Sequence, residues 1–154
     1  MNFDPKTDLK LEKILEVPRS LIWQCWTTPR HIKNFFVPRP HKVTECEINL
    51  TPGGRFNTTF EVDGKVMNNN GVYLEIIENE KLVFTDAFSE GWKPSENPFM
   101  TAILLLEDAG ENSTKYTAVA RHRSAESRQA HEDMGFYVGW GIVTDQLVEY
   151  AKKL

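Results

Sequence analysis

The 154 residues carry a formal charge of −4, with 40% hydrophobic and 26% charged side chains, which is the make-up of one folded domain rather than a disordered chain. The acidic balance argues against general affinity for nucleic acid or anionic membranes, since both demand a basic surface. The opening MNFDPKTDLKLEK has no apolar core of signal-peptide length, no later apolar run could span a bilayer, and Cys25 and Cys46 are the only cysteines, so a reducing, cytoplasmic location is expected.

No repeat, low-complexity tract or linker divides the sequence, and residues 1–154 read as a single domain. From Leu9 to Val17 apolar residues hold mostly odd positions against Lys10, Glu12 and Glu16, with Lys13 and Ile14 as exceptions; this is a half-buried strand ended by Pro18. Leu21, Ile22, Cys25 and Trp26 then fall at helical spacing and predict a short helix over 20–26. Thr28-Pro29 reads as an N-cap followed by proline at the first helical position, opening a second short helix to about Phe36.

Strands follow over 43–49, 55–62 and 65–77, the last two joined by the tight-turn pair Asp63-Gly64. Gly71, after three asparagines, predicts a bulge in the second strand of this hairpin. Further strands are expected over 81–88, 101–107 and 115–122. The stretch SEGWKPSENPFM between Phe88 and Thr101 contains two prolines and a glycine, and reads as a long loop. Its aromatics Trp92 and Phe99 predict a lid, a partner or dimer contact, or packing beneath the loop.

Beyond Ser124, a plausible N-cap, no proline interrupts the chain. Phe136, Trp140, Val143, Leu147, Tyr150 and Leu154 form one apolar stripe at helical spacing. Met134, Val138, Gly141, Ile142, Asp145 and Val148 form a weaker second one. A helix apolar over so wide an arc is expected to be covered on most of its circumference, which a curved sheet would do. Gly135, Gly139 and Gly141 each cost such a helix about 1 kcal/mol relative to alanine, and predict either close helix-to-sheet packing or room for a ligand.

The order strand, two short helices, six strands, long helix is the helix-grip layout. Six segments carry a resemblance to the family named for the activator of Hsp90 ATPase. They are Lys13-Ile14 with Val17-Pro18, Ile22-Trp23 with Trp26-Thr27-Thr28-Pro29, Pro52-Gly53-Gly54-Arg55-Phe56, Gly71-Val72-Tyr73-Leu74-Glu75-Ile76, Glu80-Lys81-Leu82-Val83-Phe84-Thr85, and Met134-Gly135-Phe136 with Gly139-Trp140. The chain departs from that pattern at Phe35-Phe36, where tryptophan is more usual, and at Lys13, where arginine is. The resemblance implies an α+β, START/Bet v 1-like fold, with a curved antiparallel sheet of about seven strands wrapped on a long C-terminal helix. Relatives include ligand carriers, polyketide cyclases, resistance proteins and co-chaperone domains, and a shared fold does not select among them.

The residues expected to line a cavity between sheet and helix are Phe36, Phe60, Tyr73, Phe84, Asp86, Phe88, Trp92, His122, Met134, Tyr137 and Gly141. Asp86 lies two residues from both Phe84 and Phe88; on an inward face its carboxylate would be buried, with a raised pKa, as an acid or a ligand anchor. His122 shares a strand face with Tyr116, Ala118 and Ala120 and is expected inward, whereas His131, beside Glu132 and Asp133, reads as surface. Arg30, Lys33, Arg39 and Lys42, with His31 and His41, form a local basic segment that is either a solvated loop or a steering surface for an acidic ligand or partner. There is no Gly-rich phosphate loop, nucleophile elbow, nucleotide fingerprint or metal-ligand spacing, so no cofactor or metal is expected. Three readings remain: binding of a small, largely hydrophobic molecule, a polyketide cyclase-like enzyme using acid–base residues of the same cavity, or an Hsp90-type chaperone regulator acting through its outer surface. Either a monomer or a homodimer is compatible with the sequence.

Overall fold

In the computed structural model, which describes residues 2–154, the alternating segment forms β1 (Asp8–Leu15) and buries Leu9 and Leu15. Ile14 projects from the opposite face, 62% exposed. Lys13 shares the inner face and extends its ammonium to Asp145 at 3.6 Å, which resolves both exceptions to the period of two. Helix α1 (Arg19–Thr27) follows Pro18 and buries Ile22, Trp23, Cys25 and Trp26. Helix α2 (Pro29–Ile32) begins at the expected proline but lasts one turn; Thr28 occupies the N-cap position without a side-chain cap bond. The chain then runs through turns, instead of the expected helix, to Phe36 and Pro40.

The strands are β2 (Lys42–Ile48), β3 (Arg55–Val62), β4 (Lys65–Ile77), β5 (Lys81–Thr85), β6 (Phe88–Ser89), β7 (Lys93–Pro94), β8 (Thr101–Asp108) and β9 (Thr114–Arg121). Seven of them form one antiparallel sheet in the order β1-β9-β8-β5-β4-β3-β2; β6 and β7 pair separately. From the edge strand β1 the chain crosses the sheet through α1 and α2 to the opposite edge, then returns by local hairpins. That route lays the two short helices over the concave face. The β3–β4 turn places Asp63 and Gly64 both at positive φ, 51° and 79°, as a tight hairpin needs. Gly71 does not bulge its strand: it pairs with Phe56 in regular register, and the irregularity falls between Tyr73 and Glu75. Glycine is required there because a Cβ would lie 2.4 Å from the Thr85 carbonyl oxygen.

Ser124 caps α3 (Ala125–Asp133), its hydroxyl accepting the Ser127 N–H at 3.1 Å. The expected continuous helix is broken at Gly135, which adopts φ +97° and opens α4 (Phe136–Ala151). The stripe of Phe136, Trp140, Val143, Leu147 and Tyr150 packs on the core, with Phe136 and Leu147 fully buried. Most of the second stripe does not: Met134, Val138 and Ile142 are 73%, 69% and 40% exposed, and only its last member, Val148, reaches the core. The expectation of near-complete covering fails because α4 rests on α1, α3 and β1, leaving its far side to solvent. No helix among the described residues is long and apolar enough to cross a membrane.

Candidate ligand site

The side chains on the concave face of β3, β4 and β5 meet those of α1 and the turn after α2. Phe56 stacks on Tyr73, with ring centres 5.3 Å apart and planes 7° from parallel, and meets Phe84 edge-on at 4.9 Å. Trp26 closes the group from above, at 5.9 Å from Phe84 and 5.8 Å from Phe36, while Phe36 reaches Phe56 at 5.8 Å. Each such contact adds about 0.5–1.5 kcal/mol beyond burial. Beside the cluster lies a cleft of about 40 Å³ lined by Phe56, Asn69, Gly71, Phe84, Thr85, Asp86, Phe99 and Met100.

Three polar groups of the cluster are buried without a partner among the described residues: the indole Nε1 of Trp26 on α1, and two on the apolar face of the sheet. The Tyr73 hydroxyl and Thr58 Oγ1 are buried, and neither has a hydrogen-bond partner among the described residues. Thr58 lies two residues from Phe56 and therefore on the same face, paired in register with Cys46. Burial, and then the nearby Cys46, push the Tyr73 hydroxyl far above the ordinary tyrosine pKa. Burial raises the Cys46 thiol to about 11 despite the opposing charge of Lys33.

Polar latches hold the two loops that wall the site. On one side, Asp86 accepts the Phe99 N–H on both oxygens at 2.9 Å and the Met100 N–H at 3.1 Å. The expected strand over 81–88 stops at Thr85 for this reason, and Asp86 does not share a strand face with Phe84 and Phe88. Its carboxylate is half-buried and committed to backbone amides, a loop clamp instead of the isolated buried acid expected from the sequence. On the other side, the buried Gln146 of α4 donates to the carbonyls of Phe35 and Val37 at 3.1 and 2.9 Å and accepts the Arg39 N–H at 2.9 Å. Arg39 adds an ion pair with Glu149 at 3.2 Å, so the basic segment is partly tied down. Within it, His31 is buried and its Nδ1 meets the Tyr150 hydroxyl at 2.6 Å; burial and then Arg30 hold its pKa below the ordinary histidine value.

Of the residues expected around a cavity, Phe84 and Asp86 line the cleft, Phe36 and Tyr73 belong to the aromatic cluster beside it without lining it, and Phe60 lies half-buried farther along the face of β3. Phe88 and Trp92 are elsewhere, edge to face at 5.7 Å on the β6–β7 hairpin, where the Trp92 ring covers Gly53. Arg55 pins that hairpin through Glu90 at 2.6 Å while also holding Glu47 at 2.9 Å. Met134 and Tyr137 point to solvent, because Gly135 re-phases the helix and leaves them on its outer side. Gly141 faces only the Lys13 ammonium, 3.9 Å from where its Cβ would be, and Gly139 faces open space, so neither close packing nor a ligand chamber accounts for them. His122 turns inward but bonds His131, which is buried rather than at the surface. Phe99, one of the two loop aromatics expected as a lid, a contact or packing beneath the loop, lines the cleft, whereas Trp26, Phe56, Asn69, Met100 and Gln146 complete the site without being singled out for it by sequence pattern. Among the described residues no group of three or more potential ligands could hold a metal ion.

Residues 16–152 match the family model for activator of Hsp90 ATPase homolog 1-like proteins. A crystal structure of a Nitrosomonas europaea protein is 36% identical and superposes with a TM-score of 0.94, over 98% of this chain and 97% of that one. A Mycobacterium smegmatis protein at 23% identity shares the fold with a TM-score of 0.80, over 96% and 92% of the two chains. So does an Aeromonas hydrophila protein described as AHSA1-like, at 13% identity and a TM-score of 0.71, over 95% and 92%. Among curated proteins none matches the chain. The helix-grip architecture and the family match over nearly the whole length agree, and the chain belongs to the activator of Hsp90 ATPase homolog 1-like family.

Proposed function

We propose that this protein binds a small, largely apolar molecule carrying one hydrogen-bonding group, between the concave face of the sheet and the helices. The observation that carries this reading is the Tyr73 hydroxyl, fully buried among aromatic rings with no partner among the described residues. An unsatisfied buried hydroxyl costs about 1–3 kcal/mol, and a ligand that hydrogen-bonds to it recovers that cost on binding. Thr58 Oγ1 offers a second contact, and Phe36, Phe56 and Phe84 supply the apolar walls. Apolar walls with one or two fixed polar groups are the usual design of such sites.

A cleft of about 40 Å³ is far below the roughly 300 Å³ of ordinary ligand pockets. Entry therefore requires a wall to move, either the turn bearing Phe36 or the segment bearing Phe99 and Met100. The acid–base alternative loses its leading candidate, since Asp86 is occupied by three amide contacts. The free thiols Cys25 and Cys46 agree with a reducing, cytoplasmic setting.

The test is native mass spectrometry of the protein purified from its source, with a thermal-shift screen of small aromatic phenols, ketones and acids. A bound mass, or a melting temperature that rises with ligand concentration as linkage requires and rises less in Tyr73→Phe at the same ligand concentration, supports the assignment. A clean apo mass with no shift across the panel overturns it.

A further inference from the structure

The histidine at the end of β9 and the histidine on α3 meet in the fold. His122 Nε2 and His131 Nδ1 lie 2.8 Å apart, and both side chains are 5% exposed. His122 Nδ1 is 2.8 Å from the Thr7 carbonyl oxygen, which can only accept, so this nitrogen keeps its proton. In the neutral pair His122 Nε2 therefore accepts and His131 Nδ1 donates. One further proton fits: it enters at His131 Nε2, the bridging proton passes to His122 Nε2, and the hydrogen bond reverses. A second further proton does not fit, because it sets N–H against N–H across 2.8 Å and puts two positive rings together.

The surroundings offer little relief. Phe99 lies on the His131 ring at 4.5 Å, and Phe136 of α4 meets it edge-on at 5.2 Å. The charged groups of the neighbouring elements are otherwise engaged. Asp8 of β1 is bonded to Arg121 of β9 at 2.9 and 3.0 Å, Arg128 to Glu132 on α3 at 2.8 Å, and Asp86 to the amides of Phe99 and Met100. Burial first, and the charge of His122 second, lower the His131 pKa from 6.5 to about 4. The unfolded chain thus binds more protons over this interval, and the contribution to stability is present above pH about 6.5 and is lost as pH falls toward 4.

We propose that the His122–His131 pair is a proton-counting latch: it holds the end of β9, α3 and Phe99 together while it carries at most one extra proton, and releases them when it takes the second. Because Phe99 lines the cleft, release loosens one wall of it. The latch is independent of whether the cleft takes a ligand.

The test compares the wild type with His131→Asn, whose amide nitrogen replaces the Nδ1–H donor but cannot be protonated in this range. Urea unfolding from pH 7 to pH 4.5 should weaken the wild-type folding equilibrium at least tenfold more than that of the variant, and parallel curves overturn the proposal. Long-range ¹H–¹⁵N imidazole spectra of the wild type give a second reading that needs no variant. The nuclear Overhauser contact between the Phe99 and His131 rings should vanish as the second proton is taken up. Persistence of that contact with both rings doubly protonated also overturns the proposal.

Discussion

Replacing Tyr73 by phenylalanine should make the protein more stable. The hydroxyl is fully buried and unpartnered among the described residues, while the ring is fixed by parallel stacking on Phe56 and survives the substitution. Removing one oxygen leaves a void smaller than a methyl group and lifts a desolvation penalty of about 1–3 kcal/mol. Allowing for the small void, a gain of about 1 kcal/mol is expected, equivalent to about 2–4 °C in melting temperature at this chain length. Urea unfolding with an unchanged slope is the measurement, since a slope change signals an altered denatured state. The same substitution should weaken a ligand bonded to the hydroxyl by about 1 kcal/mol, roughly fivefold. Stability and affinity are thus expected to move in opposite directions. A destabilisation of 1 kcal/mol or more would mean that the hydroxyl already has a partner in the free protein, and would refute the reasoning.

The glycines give a contrast in sign. Gly71→Ala should destabilise by more than about 2 kcal/mol, because its Cβ meets the Thr85 carbonyl at 2.4 Å, whereas Gly139→Ala, facing open space in α4, should stabilise by about 0.5–1 kcal/mol; thermal melts of the two variants decide it. Gln146→Leu removes three hydrogen bonds to the turn bearing Phe36 and should cost about 2–4 kcal/mol, with faster amide exchange at Arg39. Asp86→Ala should cost about 1–3 kcal/mol and deprotect the Phe99 and Met100 amides while leaving the β3–β4 hairpin protected, as hydrogen exchange resolves residue by residue.

The β-rich middle of the chain was readable because its signals are local. Asp63-Gly64 prescribes its own turn, and the strands on either side of it run over the expected residues, Arg55–Val62 and Lys65–Ile77. Alternation also located β1, and the Lys13–Asp145 contact explains its one polar intrusion. The failures have a common origin in partners distant in sequence. Gly71 has the sequence signature of a bulge because nothing nearby reveals the Thr85 carbonyl against it. Asp86 has the sequence pattern of a strand residue because its partners, the amides of Phe99 and Met100, lie thirteen and fourteen residues away. The neighbours Glu132 and Asp133 give His131 the pattern of a surface residue, although its ring turns toward His122. The apolar stripe of Met134, Val138 and Ile142 obeys helical spacing and is nevertheless exposed, since periodicity identifies a face but not what covers it.

These distant contacts also explain how the site is held nearly shut. The aromatic cluster is continuous from Trp26 through Phe84 and Phe56 to Tyr73, all on regular elements whose backbone bonds are satisfied. Packing of that kind is bistable at best and resists gradual expansion. The walls are different: Phe36 sits on an irregular turn fixed by Gln146, and Phe99 and Met100 sit on a segment fixed by Asp86 and His131. Each wall is tied by a few directional bonds, worth about 1 kcal/mol apiece net. Opening at a wall therefore costs a few kcal/mol, whereas opening through the cluster disrupts several buried aromatic contacts at once. The low-cost motion is at the two walls: the segment of Phe99 and Met100 borders the cleft, and the turn of Phe36 borders the aromatic cluster that holds the unpartnered hydroxyl. On the proposed binding reading, a cleft of about 40 Å³ in the free protein is the closed state of a site whose floor is rigid and whose sides are latched.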